Sequence, residues 1–221
     1  MHIAELWRYP VKSMAGERLD RVAVGANGVE GDRLVQAYRA DGRVATARTF
    51  PGLLGHKGTL STEREPLVDG RPWNDPSVAA DVHRIVGPGS RLVHDDSPDR
   101  FDILPLLVAT DGAIEAFGYD GRRLRPNLVV GGVAGLDERT WEGRFLRIGD
   151  VVIAIQDLRG RCVMTTYDPD SLEQNRDVLT SILDRFDGKL ALNAGVLRGG
   201  LLSVGDTVEL LDDEAAARHR G

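Results

Sequence analysis

Apolar and polar residues alternate over several short runs in the first sixty positions. Residues 2–7, 18–24, 33–39 and 43–48 each read as a strand, because a period of two turns one face toward a core. Asp41-Gly42 between two of these runs predicts a hairpin, since glycine tolerates the positive φ that tight hairpin turns need. Many short strands at close spacing predict a barrel or a sandwich.

The pattern then breaks. Glu65-Pro66, Arg71-Pro72, Asp75-Pro76 and Gly87-Pro88-Gly89 interrupt any long periodic element between 64 and 100. Within it, 82–86 and 91–94 read as short strands, and the segment as a connection with a little structure of its own. Regularity returns after residue 101. Thr110-Asp111 followed by Ala113, Ile114 and Phe117 predicts a capped helix that Gly118 stops. Residues 128–130 read as a strand, and 145–156 as a hairpin around Gly149-Asp150. Residues 172–186 carry Val178, Leu179, Ile182, Leu183 and Phe186 on one helical face. Residues 201–211 return to strand around Gly205-Asp206. The likeness of 147–152 to 203–208 reads as a reused hairpin turn, since two copies make no repeat array. The tail after Asp212 is expected to fray.

Composition narrows the possibilities. The chain has 221 residues, 42% of them hydrophobic and 28% charged, as soluble globular proteins do. Its length suits one or two domains. One cysteine excludes an internal disulfide, a Cys₂His₂ zinc site and a Cys₄ iron–sulfur cluster. No apolar run approaches the ~20 residues that span a bilayer. The first residues lack the charged-then-apolar pattern of a secretory signal, so a cytoplasmic location is expected and no membrane partner. A net charge of −6 argues against nucleic acid as a partner. The charge is uneven, however: residues 1–64 hold 10 basic and 7 acidic side chains. Such a basic segment is either a solvated face or one wall of an anion site.

Cys162 lies in Leu158-Arg159-Gly160-Arg161-Cys162-Val163-Met164-Thr165-Thr166-Tyr167-Asp168-Pro169. A lone cysteine is commonly a small buried hydrophobe. Two neighbouring arginines favour a thiolate instead. If this stretch were a strand, Arg161 and Cys162 would point to opposite faces.

These residues resemble the R-C-x-x-T-T-x-D-P signature of the MOSC (molybdenum cofactor sulfurase C-terminal) domain. Leu124-Arg125-Pro126-Asn127 followed by Leu128-Val129-Val130 is similar to that family's F-R-P-N strand. Tyr9-Pro10-Val11-Lys12-Ser13, Gly31-Asp32-Arg33 and Thr46-Ala47-Arg48 resemble, in order, motifs of the MOSC N-terminal β-barrel domain. The resemblance runs over nearly the whole chain, and is strongest to the mitochondrial amidoxime-reducing component and its bacterial relatives.

The resemblance implies a mainly β fold: two associated β-barrel-like units with a few peripheral helices. The N-terminal domain would cover 1–95, the MOSC domain 96–212, and a tail 213–221. It implies a molybdenum–molybdopterin cofactor in the cleft between them. Cys162 would ligate the metal as the catalytic residue, and Lys12, Ser13, Arg33, Arg125 and Asn127 would hold the pterin and its phosphate. The implied activity is reduction of N-hydroxylated or N-oxide small molecules, with electrons from a separate donor protein. The alternative is a sulfur carrier with Cys162 as a persulfide.

Plainer readings stand beside each assignment. Without the motif, Lys12 and Ser13 read as an exposed turn after Pro10, and Arg33 as a surface hairpin residue or a partner of Asp32. Arg125 and Asn127, which would share a face in the implied pterin-binding strand, read plainly as satisfying backbone around Pro126. Arg48 ranks last among the basic candidates. Thr110 reads as a helix cap, Asp168 as the organiser of the turn at Pro169, and His56, His83 and His94 as structural or exposed. Two positions depart from the family pattern: Gly160 replaces a serine and Leu197 a tyrosine, which removes two hydroxyls.

Overall fold

The computed structural model describes residues 1–212; the tail 213–221 lies outside the described residues. The strands in chain order are β1 (His2–Arg8), β2 (Glu17–Leu19), β3 (Arg21–Gly25), β4 (Gly28–Val29), β5 (Val35–Tyr38) and β6 (Val44–Ala45). Next come β7 (Gly58–Leu60), β8 (Pro66–Val68), β9 (Arg71–Pro72), helix α1 (Pro76–Val86), β10 (Arg91–His94) and β11 (Leu106–Thr110). Helix α2 (Asp111–Phe117) precedes β12 (Leu128–Gly131), β13 (Phe145–Ile148) and β14 (Val151–Gly160). Helix α3 (Asp177–Phe186), β15 (Lys189–Arg198), β16 (Gly200–Ser203) and β17 (Glu209–Leu211) complete the described chain. The protein is mainly β, as the strand pattern predicts.

An eight-stranded sheet in the order β17-β13-β14-β15-β11-β12-β1-β2 forms the centre. Only the β11–β12 pair in it is parallel. β1 is an interior strand of this sheet, so the first residues of the chain help build the C-terminal half. The sheet is not a closed barrel. Its ends approach through backbone bonds of Ile3 N–H to Asp206 O (2.9 Å) and Gly205 N–H to Ile3 O (2.8 Å), without a continuous ladder. Three three-stranded sheets, β10-β5-β6, β16-β3-β4 and β7-β8-β9, pack around it.

Burial follows the sequence pattern. One core, with Ile3, Leu6, Val108, Leu128, Leu146 and Ile153, fills the large sheet. A second, with Val11, Met14, Val35, Leu53, Val78 and Val82, joins β5 and β8 to α1. A third holds α2 and α3 together through Phe117, Leu124, Val178, Ile182 and Phe186. Fully burying a side chain of this size contributes about 1.5–3 kcal/mol, and α3 buries Val178, Ile182 and Phe186.

Several expectations need correcting. Residues 82–86 are the last turns of α1 and not a strand. Asp75-Pro76 starts that helix: Asp75 accepts from Ser77 N–H at 2.7 Å and proline fits the first turn. The β-branched residues there favour strand locally, but burying Val78 and Val82, four apart, decides for helix. The run 18–24 is two strands, β2 and β3, in different sheets. The helix expected from 172 begins at Asp177, and Leu183 on its supposed inner face is 56% exposed. Gly149 turns the β13–β14 hairpin with φ +56°. Gly205 instead turns the chain from β16, paired with β3, to β17, paired with β13.

Candidate functional site

Three stretches of chain meet at one cavity of about 470 Å³, within the range common for small-molecule sites. Lys12, Ser13, Arg33, Arg125, Asn127 and Cys162 all line it.

The N-terminal wall is built by backbone bonds between adjacent turns. Arg33 N–H donates to Tyr9 O and Lys12 N–H to Val35 O, both at 2.8 Å. The Ser13 hydroxyl oxygen accepts from Ala47 N–H at 3.0 Å, which seats Thr46 and Arg48 on the same wall. Ser13 and Arg33 have φ of +70° and +54°. Left-handed conformations of such residues are uncommon and concentrate at functional sites. Ser13 is 5% exposed, so it and its neighbour are no loose surface turn.

Behind this wall lies a buried polar node. Asp32 is completely buried and accepts from Tyr9 N–H (2.7 Å), Asn127 Nδ2 (3.1 Å) and the Arg33 guanidinium. The Asn127 amide also donates to Trp7 O (3.4 Å) and accepts from Leu107 N–H (3.1 Å). Asn127 is therefore a brace whose polar atoms the protein already occupies. Arg33 is paired with Asp32 while lining the cavity, and with its side chain only 17% exposed it is not the surface hairpin residue of its other plain reading.

The second wall is the turn before β12. Arg125 follows the 3₁₀ turn Gly121–Leu124 with φ +56°. Neither Arg125 nor Asn127 is in a strand, so the strand face expected of them does not form, although both line the cavity. The Arg125 guanidinium stacks on the Tyr9 ring at 4.3 Å and has no hydrogen bond or salt bridge among the described residues. Burial pushes it down to about 10. Burial likewise pushes the Tyr9 phenol up to about 12, although Arg125 and Arg33 both pull it down. Arg123 donates to Asp168 (2.9 Å) and Thr165 O (3.3 Å), and its Nε is buried without a partner.

The third wall explains the T-T-x-D-P run. β14 ends at Gly160, so strand alternation no longer applies at Arg161 and Cys162, and both line the cavity. Cys162 begins the 3₁₀ turn Val163–Thr166. Thr165 Oγ1 donates to Cys162 O (2.9 Å) and Thr166 Oγ1 to Val163 O (2.7 Å), which lock that turn. Asp168 accepts from the N–H groups of Asp170 and Ser171, the turn role expected of it. Arg161 donates to Leu124 O at 2.7 Å, its Nε is buried without a partner, and burial pushes it down to about 10.

Some site residues escape sequence reasoning. Asp102 lines the cavity and holds Lys12 Nζ at 2.9 Å, Arg48 at 2.6 Å and Arg159 at 3.6 Å. Burial pushes its carboxyl up, but Lys12, Arg48 and Arg159 together hold it below the usual range. Arg48, ranked last, faces both Asp102 and Cys162; burial pushes it down, and these two partners outweigh that. Asn193 reaches the cavity between Arg159 (3.1 Å) and Asp157 (2.7 Å). Phe101, Leu104, Leu106, Leu107 and Met164 supply apolar lining. One spacing signal was available: Arg159 and Arg161 flank the glycine before the cysteine. Asp102 carries none, as one acid among 34.

Other candidates lie elsewhere. Thr110 caps α2 by accepting from Ala113 N–H (3.1 Å) and donates to the buried Glu138 (2.8 Å). His56 binds Asp69 at 2.6 Å and His83 binds Ser90 O at 2.6 Å. Leu197 is 52% exposed and outside the cavity lining, so its departure from the family pattern does not reach the cavity. Gly160 does line it, and a Cβ built there meets nothing within 4 Å. Among the described residues no helix is long and apolar enough to cross a membrane.

Comparisons with known proteins agree with this assembly. The mitochondrial amidoxime reducing component 2 of Macaca fascicularis is 25% identical over 76% of this chain and 67% of its own. The human protein of that name is 26% identical with the same coverage. The crystal structure of the YuaD protein from Bacillus subtilis matches with a TM-score of 0.54 at 12% identity, over 96% of this chain and 95% of that one, which is a likeness of fold. The MOSC N-terminal beta barrel domain model matches residues 1–71 and the MOSC domain model residues 112–209, so that the walls contributed by Lys12 to Arg48 and by Arg123 to Met164 fall in matched segments. This chain is a member of the MOSC domain family.

Proposed function

We propose that the protein is a molybdenum-cofactor-dependent reductase of N-hydroxylated or N-oxide small molecules. A single observation carries the reading: a free thiol, Cys162, faces a cavity lined by desolvated arginines whose hydrogen-bonding groups are incompletely paired. Among the described residues the Arg125 and Arg161 guanidinium groups have no salt bridge, Arg161 leaves Nε unpaired, and Arg123, though bound to Asp168, does the same. Buried cations without counter-ions are costly, so such a cavity is suited to an anion.

The residues present fit a molybdopterin. Cys162 Sγ is a soft donor suited to a metal already held by sulfur. Arg125 and Arg161 would neutralise the anionic part of the cofactor, and guanidinium forks match phosphate oxygens. Arg33, with Lys12 and Ser13, completes the anion-facing wall; Asn127 acts through Asp32 by holding Arg33 in place. When bound, the cofactor supplies the two-electron redox centre. The apolar lining at Phe101, Leu104 and Leu107 would receive the body of a small substrate and exclude water. In the overall reaction R–NH–OH takes up two electrons and two protons and yields R–NH₂ and water. A chain with one cysteine carries no iron–sulfur relay, so the electrons come from a separate donor protein. A division into domains near residue 95 and a cytoplasmic location belong to this proposal; the curated relatives are named as mitochondrial.

The test is reduction of an N-hydroxylated benzamidine by the full chain, produced in a molybdopterin-competent host and driven by reduced methyl viologen. Turnover that disappears in Cys162→Ser supports the reading. Equal turnover in that variant refutes it. Metal-free protein carrying labile sulfane sulfur at Cys162 would assign the chain to the sulfur carriers.

A further inference from the structure

The cation cluster next to Cys162 is already filled, and by the protein itself. Lys12 Nζ contacts Asp102 Oδ1 at 2.9 Å, while Arg48 contacts Oδ2 at 2.6 Å and Arg159 approaches it at 3.6 Å. Both carboxylate oxygens are thus held by cations from three separate segments. This is how a site binds a ligand carboxylate or one edge of a phosphate.

Asp102 differs from the other acids near the cavity. Asp32 is completely buried and serves the backbone of Tyr9 as well as Arg33. Asp168 organises its own turn. Asp102 accepts no backbone N–H bond, and its side chain is 32% exposed. It sits between the short 3₁₀ turn Pro98–Arg100 and β11, in a stretch with neither helix nor strand, beside Ile103, which is 52% exposed. Rotation about two side-chain bonds is enough to withdraw it. Lys12 also donates to Arg100 O at 2.8 Å, so without Asp102 it keeps its place in the wall.

We propose that Lys12, Arg48 and Arg159 form an oxyanion subsite beside Cys162, and that Asp102 is its built-in counter-ion, displaced when a ligand oxyanion binds. The subsite's ligand class is a phosphate-type oxyanion carried by a small molecule. Asp102 keeps three cations from repelling one another while the subsite is free, and sets a threshold that weakly binding anions do not pass. Like charges brought together oppose binding, so the carboxylate must leave as the oxyanion arrives. The inference rests on the anion-binding reading of the cavity and does not require the metal.

Titration calorimetry of the full chain with inorganic phosphate, at fixed pH and low ionic strength, tests it. Asp102→Asn keeps the shape and removes the charge, and should bind phosphate about tenfold more tightly than the unmodified protein. Adding Arg48→Gln to Asp102→Asn should abolish that gain. Equal or weaker binding by Asp102→Asn overturns the proposal, as does a gain that survives Arg48→Gln, which would place the anion at Arg125 and Arg161. If Asp102→Asn does not fold, Arg159→Gln replaces it: the counter-ion then loses one holder, and unchanged phosphate binding refutes the subsite. Metal content is not part of this readout, so the reductase reading and the subsite can fail separately.

Discussion

Two sets of polar residues lie a few ångströms apart in this protein and are built on opposite principles. In the node behind the cavity, Asp32 and Asn127 spend their hydrogen-bonding groups on Tyr9, Trp7, Leu107 and Arg33. At the cavity itself, the Arg125 guanidinium stacks on Tyr9 and has no hydrogen bond or salt bridge among the described residues, and Arg161 leaves its Nε unpaired. Satisfied buried groups hold a shape; unsatisfied ones await a partner. Residues of one family motif fall on both sides of this line. Arg125 and Asn127, two apart, are a cavity cation and a brace.

The largest expected effect breaks the braced set. Asp32→Ala strips the partner from Arg33 and leaves Tyr9 N–H and the Asn127 amide unpaired, a loss of about 3–5 kcal/mol measured by urea unfolding. A change below 1 kcal/mol would show that the node holds nothing.

Arg33→Ala comes next. Arg33 is 17% exposed and bound to a buried carboxylate, so it is no exposed-edge residue free to be removed. We expect a loss of about 3 kcal/mol together with weaker anion binding. Full stability in this variant would move Arg33 to the open set.

Arg125→Gln should act the other way. It removes a desolvated cation that lacks a counter-ion, at the expense of one stacking contact worth about 1 kcal/mol. Stability of the ligand-free protein should hold or rise by about 1 kcal/mol, while cofactor retention falls. Marked destabilisation would make Arg125 a brace as well. Smallest of all is Gly160→Ser. A Cβ there meets open space, so stability should stay within about 0.5 kcal/mol in thermal melts.

The contrast also separates what was legible in the chain from what was not. Short apolar runs and turn residues disclosed β1, β5 and the β13–β14 hairpin, with Gly42 turning the chain after β5 and Gly149 between β13 and β14. Periodicity found α2 and the core of α3. It missed α1, whose β-branched residues imitate a strand until the packing of Val78 and Val82 is known. The motifs pointed to Lys12, Ser13, Arg33, Arg125, Asn127 and Cys162, and the fold brings all six to one cavity. They could not divide these residues into braces and open cations. That division depends on partners remote in sequence, such as Asp32 with Asn127, or Tyr9 with Arg125. Asp102 stayed hidden for the same reason: its meaning lies in Lys12, Arg48 and Arg159, which reach it from 90, 54 and 57 positions away.

The most direct test of the central claim is the molybdenum content of the full chain purified from a molybdopterin-competent host, with Cys162→Ser purified in parallel. About one molybdenum per chain, lost in Cys162→Ser while its thermal unfolding stays unchanged, is the predicted result. Molybdenum retained in full by Cys162→Ser, or absent from both proteins, would contradict it.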